Sequence, residues 1–144
     1  MDTFPHDPRA IRARIRRYER DLREEQAAYG CIRDGMGKRY LLGPLYLLLG
    51  DTAGALWSFA WFAETFPDDS GDPVHLLCWT LALYRTGDLR RAAGKLRQTM
   101  LSNLYLLPRL LGPTRGNVRR TARRVWRFPF DHSALALSHL FARF

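Results

Sequence analysis

Cysteine is scarce in this chain: Cys31 and Cys78 are the only two in 144 residues. Two cannot build a disulfide framework, and a chain of this length can bury roughly 70% of its unfolded surface without one. Alternation of Val, Ile and Thr with polar residues is missing over any useful length, which excludes a sheet as the organising element. Residues 1–10 carry no apolar run of the secretory kind, so a reducing, cytoplasmic home is the expectation. Lysine is nearly absent as well: Lys38 and Lys95 are the only lysines among 23 basic residues. Uninterrupted apolar runs of membrane length are also lacking. The stretch from Tyr40 to Ala63 is charged only at Asp51, but Gly43-Pro44 and Gly50-Asp51-Thr52 punctuate it. Each half is about eleven residues, where a span needs about twenty, so a buried helical hairpin is expected instead.

What is present is a globular composition, 47% hydrophobic and 26% charged, of a size that fits a single domain, 1–144. The net charge of +9 is uneven. Residues 1–28 balance at +1, residues 29–87 at −2, and residues 88–144 at +10, with Asp88 and Asp131 the only acids in that last part. Such segregation is what a charged docking surface looks like.

Helical periodicity runs through the chain. Ile11, Ile15, Tyr18 and Leu22 step by three or four, with Tyr29 two turns on, and predict a helix over 9–29. Pro8 suits its first turn and Gly30 its end. The other face, Arg12, Arg16, Arg17, Glu19, Arg20, Arg23 and Glu24, reads as solvated with both signs. Apolar runs follow at Tyr40 to Leu49 and Ala53 to Phe66. Asp72-Pro73 then reads as an N-cap with proline at the first helical position. Helices are expected from Pro73 to Thr86 and from Leu89 to Asn103. A short apolar piece broken by Pro108, a basic helix from Asn117 to Arg127 and a last helix ending near Phe144 complete the chain.

Gly50-Asp51 recurs as Gly87-Asp88, each followed at the same offset by an alanine (Ala55, Ala92) and then a large apolar residue (Phe59, Leu96). Residues 36–69 further supply Leu42-Gly43, Tyr46 and Pro67 in register. This pattern resembles the tetratricopeptide repeat family. Arg39 stands where the family prefers tryptophan, and Phe62 where it prefers a small residue. Residues 73–106 make a degenerate second copy, with Trp79 and Thr80 in place of Leu and Gly. The resemblance implies an all-α fold of stacked antiparallel hairpins, about two repeats. The 9–29 helix would precede them and the basic helices of 107–144 would cap them, since one hairpin cannot bury its apolar face alone. It also implies a protein-binding groove along the first helix of each pair. By position this groove would contain Tyr40, Pro44, Leu47 and Leu48, then Leu77, Leu81, Tyr84 and Arg85. The Lys/Asn set by which some family members clamp a carboxylate is not there.

Catalytic and metal patterns are weak. His75 and Cys78 lie one turn apart on a helix without the further ligands zinc wants, and Cys31, His132 and His139 do not complete the set. Gly35-Met36-Gly37-Lys38 lacks the first glycine of a phosphate loop and its Ser/Thr, so the glycines are expected to shape a turn. Residues 68–72 are acidic without the ligand order of a calcium loop, and read as a solvated turn plus a cap. Asp131-His132-Ser133 are adjacent, which is not triad geometry. The expectation is a non-enzyme without cofactors or metals. Arg115, Arg119, Arg120, Arg123, Arg124 and Arg127 form a cationic face with Val118, Ala122 and Val125 opposite. The leading functional reading is a small adaptor or chaperone-like module binding a protein or peptide, an acidic one included, through the groove or this basic face. Nucleic-acid binding by the arginine helix of 115–127 is the alternative, an immunity or antitoxin-type protein a third, and self-association would suit the apolar residues near Phe144.

Overall fold

The structure is a computed structural model and describes residues 7–111. The arginines of 115–127 and the apolar stretch leading to Phe144 lie outside the described residues. Within them the fold is all-helical, with no strand. Helix α1 spans Pro8–Tyr29, α2 Leu42–Leu48, α3 Thr52–Thr65, α4 Pro73–Arg85, α5 Leu89–Ser102 and α6 Leu106–Leu110, and a 3-10 turn at Lys38–Tyr40 leads into α2.

Local chemistry sets most of these limits. The Asp7 carboxylate accepts from the Ala10 N–H, and Pro8 follows where no amide partner exists. Gly30 closes α1 in the left-handed region, at φ 69°, donating to the Gln26 carbonyl. Asp72 accepts from both Val74 and His75 N–H groups, so the expected cap is present. Helix α2 is shorter than its apolar run, because Gly37 turns the chain left-handed and residues 38–40 wind more tightly. The apolar piece after Leu104 is not broken at Pro108. That proline falls in the first turn of α6, where its missing N–H has no intrahelical partner to lose.

The two Gly-Asp turns match bond for bond. Gly50 and Gly87 adopt φ 77° and 79°. Gly50 donates to Leu47 and Gly87 to Tyr84; Asp51 donates to Tyr46 and Asp88 to Leu83. Each aspartate side chain then accepts from the N–H three residues on, at Gly54 and at Arg91. The same turn thus folds α3 back on α2 and α5 back on α4, and α4 also packs on α2 and α3.

Helix α1 lies against α2, burying Ile11, Ile15 and Leu22 with Leu42 and Leu45. Tyr29 departs from that stripe and stays exposed, its ring beneath the Arg33 guanidinium at 4.6 Å. A second cluster joins Leu47, Ala55, Phe59, Cys78 and Ala82. The closest approach is at Gly43, where a side-chain carbon would overlap the fully buried Phe59 ring. Gly43→Ala is therefore expected to destabilise the fold by about 2 kcal/mol, read as a lower urea midpoint with an unchanged slope.

Candidate functional site

The eight residues expected to form one groove separate into two places. Leu77, Leu81 and Tyr84 of α4 come together with Thr80 along one wall of a cleft of about 420 Å³. Leu89, Ala92, Ala93 and Leu96 of α5 make the opposite wall, and Leu107 and Leu110 of α6, with Leu111 just after it, lie along it. Both walls follow from helical spacing, since residues at i, i+3, i+4 and i+7 share a face. Leu77 is only 2% exposed and forms the floor, whereas Tyr84, Leu89 and Leu111 are 63%, 60% and 81% exposed. Truncating Leu77 therefore damages the core rather than reporting on binding.

Arg85 is exposed beside this cleft. Helical geometry puts it on the outer flank of α4, with Arg90 and Arg97 on the outer flank of α5. Asp88 is the only acid between Pro73 and Leu111, and it is paired with Arg91. The cleft is thus apolar at its centre and cationic at its edges. The α5 and α6 walls were absent from the expected site, although the stripe Leu89, Ala93, Leu96 was legible; what α6 covers was not.

Tyr40, Pro44, Leu47 and Leu48 are not part of this cleft. Pro44 and Leu47 are buried in the core, and Leu48 is half-buried against it. Tyr40 serves an internal tether. Its hydroxyl donates to Asp69 Oδ2 at 2.7 Å and accepts from Arg39 Nη2 at 2.8 Å. Arg39 also donates to the same carboxylate oxygen, at 2.9 and 3.1 Å, and its guanidinium lies over the rings of Tyr40 and Phe66 at 4.5 and 4.8 Å. Asp34, nearly fully buried, accepts the N–H groups of Lys38 and Arg39 and fixes the start of the 3-10 turn. Burial pushes the Asp69 carboxyl up, but hydrogen bonds from Tyr40, Gly71 N–H and Arg39 outweigh it and hold its pKa below the usual value. The loop at 68–72 is therefore not simply solvated: Asp69 ties it to the turn before α2. A wider depression of about 540 Å³ over Thr65 to Ser70 is the outside of this one loop and has no second wall.

His75 and Cys78 are core residues. Burial pushes the Cys78 thiol up to about 12, which suppresses the thiolate. His75 Nδ1 lies 3.2 Å from the Tyr40 carbonyl, the rings of Phe59, Phe62, Tyr40 and Trp79 surround it, and Nε2 has no partner. Among the described residues no three His, Cys, Asp or Glu side chains are grouped to hold a metal ion. No helix there is long and apolar enough to cross a membrane.

No family model matches the chain, and neither the curated proteins nor the solved structures yield a significant match.

The buried imidazole generates a pH prediction. Burial lowers the His75 pKa from 6.5 to about 4, opposed by the Tyr40 carbonyl, with Lys95, Asp69 and Arg39 contributing less. The folded state holds the neutral ring, so this stability is complete above about pH 6.5 and declines as pH falls towards 4, by about 3 kcal/mol. Urea midpoints measured from pH 7 to 4.5 should fall accordingly. The His75 ring-proton shifts should keep their neutral values until close to pH 4.

Proposed function

We propose that this protein is a small non-catalytic interaction module, adaptor or chaperone-like, that holds an amphipathic helix of another protein in the cleft between α4, α5 and α6. The observation carrying this reading is the cleft itself: an apolar channel that leaves Tyr84, Leu89 and Leu111 largely in water. Helix α5 is about 21 Å long, so the channel suits two to three turns of a partner helix with anchors at i, i+3, i+4 and i+7. The exposed Arg90 and Arg97 along the α5 flank, and Arg109 on α6, favour a partner whose apolar stripe is edged by acidic residues. A tetratricopeptide-like character for the two Gly-Asp-turned helix pairs supports the same use. The α2–α3 pair closes at Gly43 against Phe59, and among the described residues the stack ends on an exposed apolar face.

The test compares two labelled synthetic helices sharing one apolar stripe, one with glutamates and one with lysines on its flanks. The acidic helix should bind, and the basic one at least tenfold more weakly. Tyr84→Ser combined with Leu89→Glu should reduce acidic-helix binding by about 30-fold, in line with loss of an aromatic anchor. Because both side chains are exposed, the thermal midpoint should stay nearly unchanged. Equal binding of both helices, or binding that survives the double variant, would remove the reading. Concentration-dependent dimers lost in the double variant would instead assign the cleft to a second copy of the chain.

A further inference from the structure

Helix α1 carries seven arginines against four acids, and its geometry sets the two apart. Its acids on the inner flanks are occupied. Glu19 Oε1 accepts from the Tyr46 hydroxyl at 2.7 Å, Asp21 pairs with Lys38 at 3.0 Å, and Glu25 accepts the Arg33 and Asp34 N–H groups at 3.1 and 2.8 Å. What remains outside is Arg9, Arg12, Arg16, Arg20 and Arg23, all exposed. At about 100° per residue these five fall within an arc of about 80°, well away from the buried Ile11, Ile15 and Leu22. They form a row about 21 Å long. Among the described residues Arg9, Arg12 and Arg16 have no ion-pair partner. Arg20 reaches Asp21 and Glu24 only at 3.7 Å, and Arg23 donates through Nε to the Glu19 backbone carbonyl, which leaves the rest of its fork outward.

We propose that this arginine row binds the phosphate backbone of a duplex nucleic acid, without reading its sequence. Four observations choose this occupant. A protein interface is built around a buried apolar or aromatic anchor, and between the arginines this face offers only alanines. Backbone phosphates need no such anchor and take several arginines in a line. An exposed aromatic for stacking is missing from the row, which disfavours single strands. Helix α1 cannot lie in a lipid surface, because its apolar face is already used against α2. The chain's net charge of +9 steers it towards polyanions.

The experiment is fluorescence anisotropy of the full chain with 20-base-pair DNA and RNA duplexes of mixed sequence over a salt series. The triple variant Arg9→Gln, Arg12→Gln, Arg16→Gln should weaken duplex binding about tenfold or more at low salt. It should also flatten the slope of log affinity against log salt by about 2 to 3, near 0.9 per lost phosphate contact. The corresponding Arg→Lys variant should retain the slope. A variant with Arg119, Arg120 and Arg124 changed to Gln separates this row from the C-terminal arginines, and a further drop must still follow when the α1 changes are added to it. Phenylglyoxal modification of the unaltered protein gives an independent readout, with duplex protecting Arg9, Arg12 and Arg16. Failure of the wild type to bind duplex, an unchanged slope in the α1 variant, or absence of protection would overturn the proposal. Binding of an acidic helical peptide through the same three arginines, without duplex binding, would also overturn it and make the row a protein surface.

Discussion

The Phe59 ring joins three helices, and the rest of the packing is arranged around it. It projects from α3 against the bare backbone of Gly43 in α2, which lets those helices close on each other. On its other side it stacks on Trp79 of α4, 5.3 Å between centroids and 7° from parallel, and meets His75 edge-on at 5.0 Å. Lys95 of α5 lies 3.6 Å from the centre of the Trp79 ring. A line from Gly43 through Phe59 and Trp79 to Lys95 therefore runs from α2 to α5. Removing room at one end disturbs contacts along its length, because close-packed interiors transmit strain instead of absorbing it.

Around this line the polar groups are used structurally. The Arg39 guanidinium is the centre of one such arrangement. It covers two aromatic faces while bonding to Asp69 and reaching Asp34, so the loop after α3 is tied to the turn before α2. A guanidinium can do this because it is planar, weakly hydrated and carries several donors. His75 is held neutral by the same aromatic surroundings. Tyr40 and His75 are thereby engaged in contacts within the fold. Among the described residues, the surfaces left for partners include the apolar cleft at the α4–α6 end and the arginine row on α1.

Much of the fold was legible because it is written in local signals. The caps at Asp72 and Gly30, the turns at Gly50-Asp51 and Gly87-Asp88, and the apolar stripe of α1 all act within a few residues. Less of the cleft was legible. Leu77, Leu81 and Tyr84 could be placed on one face of α4 from their spacing. Their division into a buried floor and an exposed rim depends on where α5 and α6 settle. Tyr40 and Leu47 sit at comparable helical positions, yet one is tied to Asp69, 29 residues away, and the other is enclosed by neighbouring helices. Spacing reports which residues share a face and is silent on what that face meets.

Charge shows the same division. Sequence by itself determined that the described residues are helical, where most of their helices start and stop, and that arginine dominates the basic residues. Those are properties of dihedral preference, capping and composition, all local. Only the tertiary structure decided which charges are spoken for. Glu19, Asp21 and Glu25 are matched to Tyr46, Lys38 and the Arg33–Asp34 backbone by the docking of α1 against the residues that follow it. In the folded chain their hydrogen-bonding capacity is turned inward, and the arginines on the opposite arc face the solvent.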